Sequence, residues 1–387
     1  MHKVYFNGTH RTRHPAQTWQ ALHPLLPAYG ITRVADVTGL DDLGIPVTMA
    51  VRPLARTLSV AQGKGASLDA ARVSGAMEAI EAWHAEHAVP AASAIRVPAR
   101  EMGLPYPVTA LELHPGHLVT DRTRLDWITA ECTVDGTPVP VPAACVTLGR
   151  ETHREWRLHL PSASTNGLAS GNTRAEAMAH GLCEIIERDV LSDLPSGAER
   201  LDAESIDDPH CAELIDRLSA AGVWTELWHL PNRFRVPVAV CYLWREDQPA
   251  LLVSGSGAHL DPRIALSRAI TEAAQSRLTH ITGSREDTPP TVYRPAPHKG
   301  PAPTSGETVA WAAVTQRYEA AFDEDDVEAA HLATAVTTVT GIPPLVVDLT
   351  HGPYAREEFT VVKILAPHLR YDSRHTIARP GGPGVAA

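Results

Sequence analysis

The sequence predicts an α/β fold in which helices pack on mixed sheets and a strand–helix unit recurs. Three observations predict it. Three segments each pair a Gly-led turn with an Ala-rich helix ending in an acid or amide pair. β-branched runs of strand length lie between them, and the helix starts carry capping residues. The chain has 387 residues, 44% of them hydrophobic, enough for more than one packed layer around a sizeable core.

In chain order, residues 1–50 are expected to form a leading subdomain. The first repeat runs from Gly65-Ala66-Ser67-Leu68-Asp69 to Met77-Glu78-Ala79-Ile80-Glu81. Trp83-His84-Ala85-Glu86-His87 lacks His-Glu-x-x-His spacing and is read as surface. Pro138–Pro142 and Cys145–Leu148 read as strands. The second repeat runs from Gly171-Asn172-Thr173 to Glu184-Ile185-Ile186-Glu187, with Thr173 and Glu176 as a capping box. Pro237–Trp244 and Ala250–Ser254 read as strands. The third repeat follows from Gly257 to Gln275, where Asp261-Pro262 places a capping acid before a proline at the first helical position. Between Arg285 and Gly306, six prolines (289, 290, 295, 297, 301 and 303) predict a loop. Val361–Leu365 reads as a late buried strand, and residues 371–387 as a flexible Pro/Gly tail.

A formal charge of -11 with no long Lys/Arg run argues against a nucleic-acid partner. Met1–Asn7 turns polar at once and offers no apolar signal core. The apolar runs are far shorter than the roughly 20 residues that span a bilayer, so no membrane span is expected. Five separated cysteines without a Cys-x-x-Cys pair fit a reducing cytoplasm, each as a small buried hydrophobe.

The chemistry lies on the helices. Glu176, His180, Glu184 and Glu187 fall at steps of four, four and three, so they share one narrow face opposite Leu182, Ile185 and Ile186. A solvated face would interleave Lys and Arg; these carboxylates repel one another, and either a divalent cation or a raised pKa must offset that. Ser74, Glu78 and Glu81 repeat the spacing on the first helix, and Arg268, Glu272 and Gln275 on the third. Glu176 alone reads equally as a capping acid. If the faces converge, about six carboxylates rimmed by Lys64 and Arg268 would suit magnesium ions bridging a nucleotide triphosphate. No P-loop and no Gly-x-Gly-x-x-Gly is present.

These residues resemble YcaO-domain proteins. Gln62-Gly63-Lys64-Gly65 with Ser74-x-x-x-Glu78-x-x-Glu81 is similar to the family's first motif, Gly171-Asn172-Thr173 through Glu187-Arg188-Asp189 to its second, and Gly257 through Gln275-Ser276-Arg277 to its third. The resemblance implies a YcaO-type fold, with residues 51–370 as the ATP-binding catalytic domain. It implies ATP and Mg2+ as cofactors, with Glu78, Glu81, Glu176, Glu184 and Glu187 on the metal. Lys64, Ser74, Glu78, Asn172, Glu176 and Gln275 would bind the nucleotide, and Arg188 and Arg268 would be catalytic.

The implied activity is phosphorylation of a peptide backbone amide oxygen in the tailoring of a ribosomally made precursor peptide. The beginning, Gly8-Thr9-His10-Arg11-Thr12 with Gly30–Ala35 and Thr38-Gly39-Leu40-Asp41, resembles the subgroup that works with a TfuA-like sulfur-delivery partner, which implies thioamide formation. Azoline (cyclodehydratase) or amidine formation is the alternative by the same chemistry; the tail departs from the alternating proline pattern of azoline formers. A non-catalytic nucleotide-binding accessory of sulfur transfer is the alternative of another class. A homodimer is an allowed assembly.

Overall fold

The computed structural model describes residues 1–149, 159–193, 197–246, 248–287, 304–318, 322–352, 355–371 and 379–380. The six prolines of the expected loop, and most of the expected tail, lie outside them.

Each repeat is a strand entering a helix. β5 (Val60–Lys64) leads to α2 (Leu68–His87), β9 (Leu168–Gly171) to α3 (Arg174–Ser192), and β13 (Gln248–Ala258) to α5 (Pro262–Thr282). The helices start where capping side chains take a first-turn N–H: Ser67 accepts from Ala70 N at 3.2 Å, Thr173 from Glu176 N at 3.0 Å, and Asp261 from Arg263 N at 2.9 Å. Strand and helix approach closely enough to demand glycine. A Cβ on Gly63 would lie 2.1 Å from Ala71 O, and one on Gly257 2.3 Å from Ala265 O.

The strands preceding these helices lie at sheet edges. β3 (Arg33–Asp36), β4 (Val47–Val51) and β5 form one sheet, which runs across residue 50. A second has the order β6 (Ala94–Pro98), β7 (Arg124–Cys132), β14 (Leu345–Asp348), β15 (Thr360–Leu365), β9, with β8 (Pro138–Pro142) also on β7. A third has the order β10 (Glu199–Arg200), β11 (Trp224–His229), β12 (Val238–Arg245), β13. The α/β class holds with one refinement: every strand ladder among the described residues is antiparallel, where mixed sheets were expected.

The repeats close into a ring. Besides its own strand, α2 packs on β9, α3 on β13 and α5 on β5, so each helix reaches the strand of the next unit. Two apolar clusters share β12: Val238, Val240, Tyr242 and Trp244 face α3 and α6 (Asp325–Thr340), while Ala239, Cys241 and Leu243 face α4 (Pro209–Ala220) and α5. Burial on both faces explains the unbroken apolar run there. The short hairpin of β1 (Val4–Phe6) and β2 (Thr9–Arg11), followed by α1 (Pro15–Leu22), carries the leading segment.

Three local expectations are corrected. Cys145–Leu148 is no strand, because Ala143 O accepts from both Val146 N and Thr147 N at 3.0 Å, which winds the chain into a turn. His84 and Glu86 are not surface residues: His84 lies between Ile80 O and His351 O, and Glu86 pairs with Arg52. The Thr173–Glu176 capping box is half formed, since the Glu176 carboxylate accepts from Asn172 N at 2.8 Å instead of from Thr173. All five cysteines are free and buried, and among the described residues no helix is long and apolar enough to cross a membrane.

Candidate active site

The ring topology turns the three helical faces inward, and the contacts between consecutive units are polar. Glu81 of α2 accepts from the Ser170 hydroxyl on β9. Glu187 of α3 accepts from the Ser256 hydroxyl on β13 at 2.6 Å. Glu272 of α5 pairs with Lys64 on β5 and also accepts from Ser256 N at 3.3 Å. Each helix thus offers a carboxylate to the strand that launches the next.

Electrostatics join these contacts into one cluster. Burial, followed by the neighbouring Glu78 and Glu184, pushes Glu81 up to about 8, although Ser170 works against it. Burial and Glu187 push Glu184 up to about 7, against Arg188. Glu187 is raised by burial and by Glu272, and Glu78 by burial against Arg285 and Lys64. Only Glu272 is held below the ordinary carboxylate range: burial opposes this, but Lys64 and Arg188 prevail. Burial would lower Arg188, yet Glu187, Glu184 and Glu272 keep it above its usual value.

The structure therefore brings together Glu78, Glu81, Glu184, Glu187 and Glu272, drawn from all three helical faces, with Lys64 and Arg188. Five carboxylates face two cations that belong to the cluster itself. Four of the five are pushed toward protonation by desolvation and by one another, which is the deficit that divalent cations with oxygen ligands would relieve. The donor set fits Mg2+. Ser74 stands one helical turn before Glu78, and Gln275 one turn after Glu272, each half-buried on the same face as its acid.

Glu176 is placed apart. It stands two turns before Glu184, and its oxygens accept from Thr12 N, Asn172 N and, at 2.9 Å, Asn172 Nδ2. Its carboxylate is engaged by neutral donors from the leading segment and its own turn. Asn172 Oδ1 also accepts from Thr18 Oγ1 at 2.9 Å. Arg268 shares a small cavity with Glu176, Arg11, His180 and His259. Its Nη1 donates to Ala258 O at 3.2 Å, and burial together with Arg11 lowers its pKa. Arg11 Nη2 lies 3.1 Å from His180 Nδ1; burial, then Arg268 and Arg11, hold that imidazole well below its usual range.

Ser170, Ser256 and Arg11 were not foreseen. The serines adjoin the glycines of their strands, and alternation along an edge strand is the one sequence signal that could have placed them toward the helices.

Comparison with known proteins identifies the family. Residues 62–370 match the family model described as YcaO cyclodehydratase, ATP- and Mg2+-binding. A protein of Rhizobium leguminosarum bv. trifolii, described as uncharacterized and in the tfuA 3′ region, is 38% identical over 296 residues, covering 72% of this chain and 69% of that protein. The YcaO protein of Methanopyrus kandleri, solved with AMPPCP and Mg2+, superposes with a TM-score of 0.69 at 24% identity, covering 95% of both chains. A heterocyclase solved with substrate and cofactor gives a TM-score of 0.74 at 20% identity; 95% of this chain is covered but only 54% of the heterocyclase, so the chain spans about half its length. These two structures share the fold. The chain belongs to the YcaO family, an enzyme family that works with ATP and Mg2+.

Proposed function

We propose that this chain activates a backbone amide of a ribosomally made precursor peptide with ATP, and that its product is a thioamide formed with sulfur from a TfuA-like partner. The observation that carries the activation step is the convergence of Glu78, Glu81, Glu184, Glu187 and Glu272 with Lys64 and Arg188 in a partly buried cluster. The relative in the tfuA 3′ region supports the sulfur partner.

An amide oxygen is a poor leaving group, so its departure must be prepared. The overall exchange takes amide, hydrosulfide and ATP to thioamide, ADP and phosphate. The carbon–sulfur bond replaces the carbon–oxygen bond, and the former amide oxygen leaves within the phosphate. Glu78, Glu81, Glu184 and Glu187, with Glu272, would hold Mg2+, which supplies charge neutralisation at the phosphates. Lys64, Ser74, Asn172 and Gln275 would position the nucleotide, with Glu176 acting on its side through the Asn172 turn. Arg188 and Arg268 would supply donors where negative charge develops. Fixing both reactants in one site contributes the remainder by orientation.

The test is reconstitution of the full chain with a candidate precursor peptide, ATP, Mg2+, sulfide and a TfuA-like protein. The expected product exchanges one oxygen for sulfur in the mass spectrum. Loss of water without sulfide would instead establish the second reading, azoline formation, which the cyclodehydratase description of the family model favours. Nucleotide binding with no peptide-stimulated hydrolysis would sink both.

A further inference from the structure

Lys363 lies on β15 with 2% of its surface exposed, flanked along the strand by Val361 and Leu365 of the largest apolar cluster. An ammonium taken out of water is costly unless its donors are met. Here Nζ donates to Ser164 O at 2.6 Å and to Asn166 O at 2.7 Å. The side chains of the same two residues act on Glu112: Ser164 Oγ donates to its Oε2 at 2.9 Å, and the Asn166 side chain also favours its ionised form. The turn of residues 164–167 is therefore pinned through its carbonyls by a cation and through its side chains by an anion.

That turn ends at the acidic cluster. Gly167 has φ +75°, and a Cβ there would meet Ile364 O at 2.6 Å and Ile185 Cγ2 at 2.9 Å, so its placement tolerates no side chain. Its carbonyl accepts from Ile364 N at 2.7 Å, and its backbone N–H acts to lower the pKa of Glu184, the residue beside Ile185. The turn thus links Lys363 and Glu112 to the stretch of α3 that carries Glu184.

The geometry points to Lys363, with Glu112 as its counterpart, as a positioning residue that fixes the Gly167 N–H and so orients Glu184 for its cation. This rests on the reading of Glu184 as a member of the Mg2+ cluster. Two roles for the lysine give opposite signs. By charge alone, neutralising Lys363 would favour cation binding at Glu184. By position, it would weaken that binding, because the turn loses its anchor.

The experiment is calorimetric titration of the full chain with Mg2+ and β,γ-methylene-ATP, in wild type, Lys363→Met, Glu112→Ala, Glu184→Gln and the Lys363→Met/Glu184→Gln double variant. The half-saturating Mg2+ concentration should rise roughly tenfold in Lys363→Met and in Glu112→Ala, as when the group that orients a metal ligand is lost. Lys363→Met should add nothing once Glu184 is already Gln, a non-additivity that a merely structural lysine would not show. If Lys363→Met does not fold, Glu112→Ala reads the same turn. A requirement unchanged or lowered in both turn variants, while Glu184→Gln raises it, overturns the positioning role alone. A requirement unchanged in Glu184→Gln removes Glu184 from the cation site, and the positioning role with it.

Discussion

Ser256 on β13 donates its hydroxyl to Glu187 on α3 at 2.6 Å, and that hydroxyl also lies 3.3 Å from Glu272 on α5. One serine thus fixes the spacing of two like-charged carboxylates from different repeats. Ser256→Ala should leave both acids free to move apart. Its Mg2+ requirement for ATP turnover is expected to rise roughly tenfold, in line with other losses of ligand orientation around a metal. A titration curve superimposable on wild type would count against the serine's role.

Glu187→Gln and Glu78→Gln each remove one negative charge from a cluster whose members raise one another's pKa. Nucleotide turnover should vanish in both. The metal-free proteins should melt at or above the wild-type temperature, because like-charge repulsion is relieved while the side-chain volume is kept. Calorimetry beside an ATPase assay checks the pair of outcomes; retained turnover in both would take these residues out of the site.

The helices and their acidic faces were legible because the signals are local. Steps of three and four place Glu78 with Glu81, and Glu184 with Glu187, and Ser67, Thr173 and Asp261 mark helix starts within a few residues. Contacts between repeats were not legible. Nothing in the spacing of Ser170 or Ser256 states that its hydroxyl meets a glutamate from the preceding unit, since ring closure decides that. Glu176 has the right periodicity, yet Thr12, more than 160 positions away along the chain, occupies one of its oxygens. Lys363 reads as an ordinary strand residue until the turn from Ser164 folds over it.

The raised acids make a pH prediction with a definite sign. Glu81 and Glu184 sit at about 8 and about 7 in the folded metal-free chain, against 4.5 as the ordinary value. A carboxylic acid whose pKa rises on folding favours the folded state while protonated. The metal-free protein should therefore lose stability as pH climbs from about 4.5 toward 8. Mg2+ and nucleotide should displace protons within that range, and thermal shifts on adding them should be larger at the upper end. Calorimetric binding heats measured in buffers of different ionisation enthalpy report the released protons; heats independent of buffer at neutral pH would refute the prediction.

Acid stability should be governed by a different pair. Arg52 on the loop after β4 grips Glu86, near the end of α2, with two hydrogen bonds of 2.8 Å, and Thr57 adds its N–H at 3.0 Å and its hydroxyl at 2.6 Å. Burial opposes ionisation of Glu86, but Arg52 and Thr57 outweigh it and hold the carboxyl below its ordinary value. The stabilisation from this lowered pKa is fully present above the unfolded value of 4.5 and disappears as pH falls through the lower folded value. Arg52→Met leaves a buried carboxylate without its cation and should cost about 3–5 kcal/mol at neutral pH. The gap from wild type should narrow as pH falls through the lowered value of Glu86, where the carboxyl takes up a proton in the wild type as well. Urea denaturation at neutral and acidic pH measures that gap, and a constant difference would show that the Arg52 contact acts through packing instead of charge.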